Sequence, residues 1–411
     1  MTPTIDILLC QRFLPEFGGS IRWMHEVYRR WPGPGAVEVI THDYYGHPPR
    51  TPEFPDAPQR PASGDHVTAP NLRMDRRDIF MRDWGLESID RLRRYFRMTR
   101  AVRQRLKRNP KAIVRVHCIH AVPELASLLP LLPLYRKRLR LICYAHGEEV
   151  TACASSRQLT MLMKRAYRAA DLVIANSRYT ASVLEKHVGS KNLAGKVRVV
   201  NPGVELGEFV GAAEAGRAWR QEQGLGDRPV VLTVGRLDPR KNHAAVIEAL
   251  GQLREAHPDA AYYIAGQGRH KAALEALAAK LNIADRVVFS SNVDGKLKLA
   301  MYGGCDVFAM PAIRDGTDVE GFGMVFLEAG ACGKASLAGR EGGQADAVID
   351  GQTGLVVDGT DQPAVTDSLH KLLSDAALRR RLGDGGREYA RQFDWSCIVQ
   401  RTLELVDLLG T

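Results

Sequence analysis

The sequence lacks the features of several classes of protein. Its 411 residues include only seven cysteines, and none of them forms a C-x-x-C pair, so neither a disulfide framework nor a zinc site is indicated. No apolar run is long enough to span a bilayer, and the N-terminus has no secretory signal pattern. A hydrophobic content of 45% excludes a disordered chain. We therefore expect a folded cytoplasmic protein in a reducing compartment.

Several nucleotide-binding and hydrolytic motifs are also missing. The segment before Lys334 resembles a phosphate loop, but it lacks the upstream glycine and the Ser or Thr that should follow the lysine. A glycine pair begins at Gly266, yet Lys271 occupies the third glycine position of a dinucleotide fingerprint. No zinc-protease helix and no G-x-S-x-G segment is present. These absences disfavour a dehydrogenase, a P-loop NTPase, a zinc hydrolase and a serine hydrolase.

Basic charge is concentrated in the first half of the chain. Residues 1–200 carry a formal net charge of +16 and the remainder −6, within an overall charge of +10. The asymmetry predicts that the first half faces an anionic partner. Basic residues are densest between Arg73 and Lys111, where Ser88 is a suitable N-cap for a helix. This helix would carry a rough apolar stripe of Ile89, Leu92, Phe96, Val102 and Leu106.

Two interpretations of this basic segment stay open. A solvated helix face explains the charge without any partner, and an anionic membrane surface explains it by electrostatic attraction. The second interpretation implies a peripheral protein on the inner face of the cell membrane. Nucleic acid is not expected as a partner, because no nucleic-acid-binding motif accompanies the charge.

Short β-branched segments alternate with helical ones in two sets, separated by a looser segment near residues 201–226. The predicted strands are Ile5–Cys10, Val37–Thr41, Ala112–His117, Leu139–Ala145 and Leu172–Asn176, then Val230–Val234, Ala261–Ala265, Val287–Phe289, Val307–Ala309, Ala335–Ala338 and Gly354–Val357. The alternation predicts an α/β fold of two Rossmann-like parallel-sheet domains that face each other across a cleft. Such sheets bind ligands at the carboxyl ends of their strands. Residues 46–70 are Pro-rich and are expected to form a long loop.

Two glutamates eight residues apart lie in the most informative segment. Glu320 is in a Gly-rich loop that follows a predicted strand, and Glu328 is about one turn into the next helix. Gly321 and Gly323 allow close approach of the backbone to a ligand, and a helix N-terminus suits a phosphate. Both carboxylates could therefore reach one ligand at this helix end. A surface loop with two acids is the alternative.

A second loop supplies cations. Arg236 and Lys241 follow the strand Val230–Val234, where a planar guanidinium and a point charge together suit a diphosphate. Gly18-Gly19 follows the first strand of the other predicted domain and brings bare backbone to its carboxyl end. Solvated loop charges and an ordinary loop glycine pair are the alternatives when each is taken alone.

These segments, in this order, resemble family 4 of the retaining glycosyltransferases, which have the GT-B architecture. The resemblance covers nearly the whole chain, densely in the second half and poorly over residues 42–110. The motifs that carry it are Gly18-Gly19, His146-Gly147, Asn176-Ser177, Asn201-Pro202-Gly203-Val204, Val234-Gly235-Arg236 through Lys241, Ile264-Ala265-Gly266 through Gly268, and Glu320-x7-Glu328. The architecture implies an acceptor-binding domain at residues 1–203, a nucleotide-sugar-binding domain at 204–385, and C-terminal helices at 386–411 that cross back to the first domain.

The resemblance implies a role in donor binding for each matching residue. Arg236 and Lys241 would bind the donor diphosphate, which Gly19 and its neighbour Gly18 would meet from the other domain. Glu328 would accept hydrogen bonds from the ribose hydroxyls, and Glu320 would bind the hydroxyls of the transferred sugar. Further donor contacts are implied for Gly266, Phe322, Gly323, Met324 and Val325.

Three other implied roles have plain structural alternatives. His146 resembles the family histidine near the reacting centre, but it could simply cap a turn at a strand end. Val293 and Lys298 occupy positions like those that line the base pocket. Val293 could equally belong to the core, and Lys298 could be a charge on a helix surface. His146, Glu320, Arg236 and Lys241 would form the catalytic set.

The implied reaction is the transfer of a hexose from a nucleotide diphosphate sugar, with retention of configuration and without a metal or further cofactor. The pattern around Glu320 looks like that of bacterial mannosyltransferases that act on phosphatidylinositol mannosides. It therefore predicts GDP-mannose as donor and a lipid-linked or polysaccharide-precursor acceptor. A UDP-sugar donor is the alternative within the family. A non-catalytic protein that binds anionic membranes is the alternative of another class.

Overall fold

The computed structural model describes residues 3–14, 18–32, 37–43, 70–193 and 195–409. The chain divides into two compact units, which are Met1–Val200 with Ser396–Thr411, and Asn201–Trp395. The sequence predicts domain boundaries after residues 203 and 385, and the two units of the structure divide after residues 200 and 395. The predicted loop at residues 46–70 lies outside the described residues except for Pro70.

The described residues form thirteen strands and seventeen α-helices. The strands are β1 (Thr4–Leu9), β2 (Val37–His42), β3 (Leu72–Arg77), β4 (Ile113–Cys118), β5 (Leu139–Ala145), β6 (Leu172–Ala175), β7 (Val197–Val199), β8 (Val230–Val234), β9 (Ala261–Ala265), β10 (Val287–Ser290), β11 (Val307–Met310), β12 (Ala335–Gly339) and β13 (Gly354–Val357). The helices are α1 (Gly19–Tyr28), α2 (Ile89–Arg108), α3 (Ala126–Leu128), α4 (Leu132–Tyr135), α5 (Glu148–Ala154), α6 (Arg157–Ala169), α7 (Arg178–Val188), α8 (Ser190–Leu193), α9 (Ala212–Glu222), α10 (His243–Gln252), α11 (Lys271–Lys280), α12 (Gly295–Gly304), α13 (Met324–Ala331), α14 (Gln344–Ala347), α15 (Gln362–Ser374), α16 (Ala376–Arg391) and α17 (Trp395–Asp407).

Each unit contains one parallel sheet. Within the described residues the first has the order β3-β2-β1-β4-β5-β6-β7, and the second has the order β10-β9-β8-β11-β12-β13. The strands are nearly continuous apolar runs because helices cover both faces of such sheets, as in the fully buried Leu141 and Val231. The predicted α/β class with two parallel-sheet domains is confirmed.

The strand order reverses once in each sheet. The reversal lies between β1 and β4 in the first unit and between β8 and β11 in the second. Loops that leave the carboxyl ends of two such neighbours run in opposite directions and open a crevice, which is where doubly wound sheets bind ligands. Of the site residues predicted from the sequence, Gly18 and Gly19 follow β1, Arg236 and Lys241 follow β8, and Glu320 follows β11.

Two strands, β3 and β7, were missed by the sequence prediction. Both lie at the edges of the first sheet. The sequence of β3 is Leu-Arg-Met-Asp-Arg-Arg, which has little apolar content because only one residue of this edge strand is buried. Edge strands need not be apolar, and charges on them prevent pairing with other chains. The hydrophobic pattern therefore did not reveal β3.

The helix α2 begins where predicted, and the Ser88 hydroxyl accepts a hydrogen bond from the Arg91 amide at 3.2 Å. The predicted apolar stripe is wrong in its first half. Val102 and Leu106 are buried, whereas Ile89, Leu92 and Phe96 are exposed by 70%, 48% and 64% of their surface. The buried face is instead completed by Tyr95, Met98, Ala101 and Arg105. Burial in the core therefore does not explain why Ile89, Leu92 and Phe96 are apolar.

The C-terminal segment forms two helices, α16 and α17, with a break at residues 392–394. The second of these helices begins at Trp395, directly after Phe393 and Asp394. Within the first unit, α17 is attached through Asp407, whose carboxylate pairs with Arg115 at 2.7 Å. Arg115 also pairs with Asp6 at 2.7 Å. Among the described helices, none is both long enough and apolar enough to cross a bilayer.

Candidate functional site

The loop after β8 is locked onto the loop after β11. Residues Pro239–Lys241 form a single 3-10 turn, and Asn242 ends it in the left-handed conformation with φ of 59°. The Asn242 side chain donates to the carbonyls of Pro311 and Gly359 at 3.0 and 2.8 Å. The amide of Ile313 donates to the Arg240 carbonyl at 2.8 Å. These bonds fix the side chains of the turn beside the segment that carries Glu320.

Lys241 and Glu320 form a buried ion pair between the two loops. The ammonium donates to Glu320 Oε2, and each residue exposes less than a tenth of its surface. Burial raises the pKa of the Glu320 carboxyl, but the charges of Lys241 and Arg240 outweigh it and bring that pKa down to about 2. Burial lowers the pKa of Lys241 against the attraction of Glu320. The glutamate is therefore ionised at neutral pH.

Arg240 is a member of this cluster that sequence reasoning missed. Its Nη1 donates to the same Oε2 of Glu320, and its Nε donates to Asp318 at 2.9 Å. Arg240 is buried, with 8% of its surface exposed. A signal was present in the sequence, since Arg240 directly precedes Lys241 and Asp318 lies two residues before Glu320.

The backbone around Glu320 is held by a glycine turn. The amide of Gly343 donates to the Glu320 carbonyl at 2.8 Å. Gly342 has φ of 79°, and a Cβ there would lie 2.4 Å from the same carbonyl oxygen. Glycine is needed at this position because both the conformation and the close approach exclude a side chain.

Glu328 projects from α13 into a second cluster. Lys298 Nζ lies 3.0 Å from Oε1, and the Tyr302 hydroxyl donates to Oε2 at 2.9 Å. Lys298 also lies over the Phe209 ring, 5.6 Å from its centroid. Tyr302 was not predicted, although it is one turn after Lys298 on α12 and therefore on the same face. Both glutamates thus carry cationic partners at one edge of the sheet.

The start of α13 matches the predicted glycine-rich helix opening. Gly323 is its N-cap residue and has φ of 93°, and a Cβ there would lie 2.8 Å from the Phe326 ring. Met324 and Val325 begin the helix, so their amides are among those without an intrahelical partner. Phe322 is buried and its ring lies 6.0 Å from that of Phe393. Backbone conformation and packing are therefore sufficient reasons for a glycine at position 323 and a phenylalanine at position 322, without a ligand.

Three other predicted residues of this unit, Arg236, Gly266 and Val293, differ in their exposure and contacts. Arg236 exposes 63% of its side chain, and its Nε pairs with Asp238 at 3.1 Å. Its charge is close enough to lower the pKa of Lys241, after the larger effect of burial. Gly266 has a packing reason, because a Cβ would lie 1.9 Å from the Gly235 carbonyl. Val293 lies two residues before α12 and is half-buried.

His146 lies in the first unit, directly after β5. Its carbonyl accepts hydrogen bonds from Asn176 at 3.1 Å and Thr180 at 3.3 Å, and its ring packs edge-on against Trp23. Burial, and then the neighbouring His120, lower the pKa of His146 to about 3. Its Nε2 is buried and has no hydrogen-bond partner among the described residues. The imidazole is therefore neutral and its Nε2 has unused bonding capacity.

Gly18 and Gly19 lie at the start of α1, after β1. Gly18 is the N-cap residue with φ of −178°, an extended conformation that any residue can adopt. A Cβ at Gly18 would meet no atom of the described residues within 4 Å. Neither conformation nor packing within the described residues requires glycine there. The three predicted residues Gly18, Gly19 and His146 belong to the first unit, and all the others to the second.

The fold and the second-unit site define a class of α/β protein with a buried lysine–glutamate pair at the point where strand order reverses. Comparisons with known proteins identify that class. Residues 17–208 match Glycosyltransferase Family 4, and residues 216–389 match Glycosyl transferases group 1. Among curated relatives, a GDP-mannose-dependent alpha-(1-6)-phosphatidylinositol monomannoside mannosyltransferase of Mycolicibacterium smegmatis is 37% identical over 303 residues, covering 72% of this chain and 78% of that protein. The chain belongs to glycosyltransferase family 4 and is a glycosyltransferase, as the sequence predicted.

Two further proteins are similar to this chain. A D-inositol 3-phosphate glycosyltransferase of Salinispora arenicola is 35% identical over 250 residues, which are 57% of this chain and 54% of that protein. The solved structure of a sucrose-phosphate synthase from Thermosynechococcus elongatus has a TM-score of 0.74 at 23% identity, over 99% of both chains. The second comparison shows the fold, and the predicted GT-B architecture is confirmed.

Proposed function

We propose that this protein transfers mannose from GDP-mannose to a hydroxyl of a lipid-linked acceptor, with retention of configuration. The observation that carries the proposal is the buried Lys241–Glu320 pair beside the N-terminus of α13. The relative from M. smegmatis is described as GDP-mannose-dependent and as acting on a phosphatidylinositol monomannoside, which supports the donor and the acceptor class. Residues 1–203 would then bind the acceptor, and residues 204–385 the nucleotide sugar.

The donor diphosphate would lie between the cations of the β8 loop and the start of α13. Arg236 is exposed and able to turn, and Lys241 is held beside it. The amides at Met324 and Val325 add unpaired donors and the positive end of a helix dipole. Glu328 would accept the ribose hydroxyls, and Glu320 those of the sugar. Ionised carboxylates suit both tasks because they accept several hydrogen bonds at once.

Charge develops on the leaving phosphate oxygen in the transition state. Arg236, Lys241 and the end of α13 would stabilise it where it forms, each by about 3 kcal/mol. The acceptor hydroxyl would attack on the face that the nucleotide leaves, so the anomeric configuration is kept. This course requires no metal ion and no enzyme nucleophile in the steps proposed.

The first unit would contribute a neutral imidazole and bare backbone. With its pKa near 3, His146 does not act as a cation at neutral pH, and its free Nε2 is suited to a hydrogen bond with a sugar hydroxyl. Neither the conformation of Gly18 nor packing within the described residues requires a glycine there, which supports close approach of the diphosphate.

A nucleotide screen tests the proposed donor. We expect GDP to raise the Tm of the full chain more than UDP does, because a ligand that binds only the native state stabilises it by mass action. Mannose transfer from GDP-mannose to phosphatidylinositol mannosides should exceed transfer from UDP-glucose. Preference for UDP and UDP-sugars would contradict the GDP assignment, and failure of every nucleotide to bind would contradict the proposed function.

Helix α2 supports docking on an anionic membrane. Its exposed apolar residues, Ile89, Leu92 and Phe96, lie toward its N-terminal end. At 3.6 residues per turn, four basic residues of the helix share this face within roughly 60°. These residues are Arg93, Arg100, Arg103 and Lys107, all exposed. An apolar patch continued by cations on one helix face is typical of interfacial helices. We propose that this face holds the enzyme at the membrane that contains its acceptor.

Vesicle binding tests this docking face. Replacing Ile89, Leu92 and Phe96 together by serine should lower binding to vesicles that contain phosphatidylglycerol at least tenfold, since apolar area and charge act together there. Transfer to a water-soluble acceptor should stay unchanged. Val210→Ser is the matched control, because Val210 is 78% exposed and lies in the other unit. Equal binding of the triple variant and the control would contradict the docking face.

A further inference from the structure

The Lys241–Glu320 pair poses a problem for donor binding. Lys241 donates to Glu320 Oε2, and Glu320 is buried and ionised. The same ammonium has to bind the donor diphosphate in the proposed function, on which this inference rests. A lysine whose only counter-ion is one buried carboxylate would leave that carboxylate unpaired on moving to a phosphate, and an unpaired buried charge is costly.

Arg240 resolves this problem by its position. Its Nη1 donates to the same Oε2 that Lys241 contacts. Its Nε is held by Asp318 at 2.9 Å, and its carbonyl is bonded to the Ile313 amide at 2.8 Å. Arg240 therefore stays on Glu320 when Lys241 leaves, because a guanidinium is always charged and carries several donors in a fixed plane.

We propose that Arg240 is a positioning residue that keeps the Glu320 carboxylate paired and in place, so that Lys241 is released to bind the donor diphosphate. The cluster as it stands is neutral, with two cations and the two carboxylates of Asp318 and Glu320. Two cations share Oε2, and no described residue donates to Oε1, which stays available for a sugar hydroxyl. Arg240 thus acts on the diphosphate through Lys241 and on the sugar through Glu320.

GDP binding by the full-length protein tests the inference, with UDP as a parallel probe. In Arg240→Gln, Lys241 becomes the sole cation on Glu320, so GDP affinity should fall about tenfold, which corresponds to about 1.4 kcal/mol. In the double variant Arg240→Gln with Glu320→Gln, residue 320 is neutral and no longer holds Lys241. GDP affinity should then return to within about threefold of wild type, because GDP lacks the transferred sugar that Glu320 would bind.

The variants separate this role from a structural one. Arg240→Lys keeps a cation beside Glu320 but loses the fork that also binds Asp318, so its loss of GDP affinity should be smaller than that of Arg240→Gln. A purely structural arginine would predict a loss that Glu320→Gln does not restore, and that result would overturn the inference, as would unchanged GDP affinity in Arg240→Gln. Thermal unfolding of each variant checks that the fold persists. Wild-type protein that binds neither nucleotide would overturn the proposed function itself, which is a different result from a wild type that binds GDP equally well with and without Arg240.

Discussion

Replacing Lys241 by alanine is expected to reduce kcat/KM for sugar transfer by about 10³-fold. The ammonium is a buried cation that would contact the diphosphate, and removal of one preorganised donor at a developing charge costs about 10²–10³ in rate. Glu320 keeps Arg240 as a partner in this variant, so no buried carboxylate is left unpaired and the fold should persist. Steady-state transfer from GDP-mannose, with thermal unfolding in parallel, provides the measurement.

Lys271→Ala is the matched control for this variant. Lys271 exposes 46% of its side chain, pairs with Glu275 on the same helix at 3.5 Å, and lies over the Phe289 ring, 5.8 Å from its centroid. Its removal should leave transfer within about twofold, since exposed ion pairs of this kind contribute less than about 1 kcal/mol. Equal rates for Lys241→Ala and Lys271→Ala would show that Lys241 takes no part in the reaction.

Replacing Glu328 by alanine should weaken GDP binding by about 100-fold. Two hydrogen bonds from ribose hydroxyls to one ionised carboxylate are worth about 3 kcal/mol together, because bonds to charged groups contribute about 1.5–3 kcal/mol each. The carboxylate is buried and already oriented by Lys298 and Tyr302. Calorimetric titration with GDP measures the loss, and Glu275→Ala, on the exposed partner of Lys271, is the control.

A modified nucleotide makes the assignment of Glu328 specific. Wild-type protein should bind GDP at least tenfold more tightly than 2′-deoxy-GDP, since the analogue lacks one of the two hydroxyls and leaves a buried acceptor without its donor. The preference should vanish in Glu328→Ala. If the variant still discriminates between the two nucleotides, the ribose is bound elsewhere and Glu328 serves another purpose.

The central strands of both sheets were predictable because burial on two faces demands apolar, β-branched residues. The segments Leu139–Ala145, Val230–Val234 and Ala261–Ala265 have the predicted bounds. The edge strand β3 was missed for the opposite reason, since it buries only Leu72 and carries four charged residues. Periodicity also misplaced part of α2. It placed Ile89 and Phe96 on one apolar stripe with Val102 and Leu106, although only the last two are buried.

Site residues could be predicted where they lie close together along the chain or soon after a predicted strand. Glu320 and Glu328 are separated by eight residues and share one loop and helix, and Lys241 follows the strand that neighbours β11. The role of Arg240 was not predicted because nothing in the local sequence indicates that this arginine, next to the expected lysine, is buried. Its role depends on Asp318 and Glu320, which lie 78 and 80 residues further along the chain.

The order of strands and helices, the family, and the residue types available for chemistry follow from the sequence alone, because local patterns of burial and turn formation are written in neighbouring residues. Which charges face each other was decided only by the tertiary structure. Lys241 and Arg240 share one oxygen of Glu320 because the strand order reverses between β8 and β11 and brings their loops to the same edge. A contact of that kind depends on the path of the whole chain between two loops, and no local pattern encodes it.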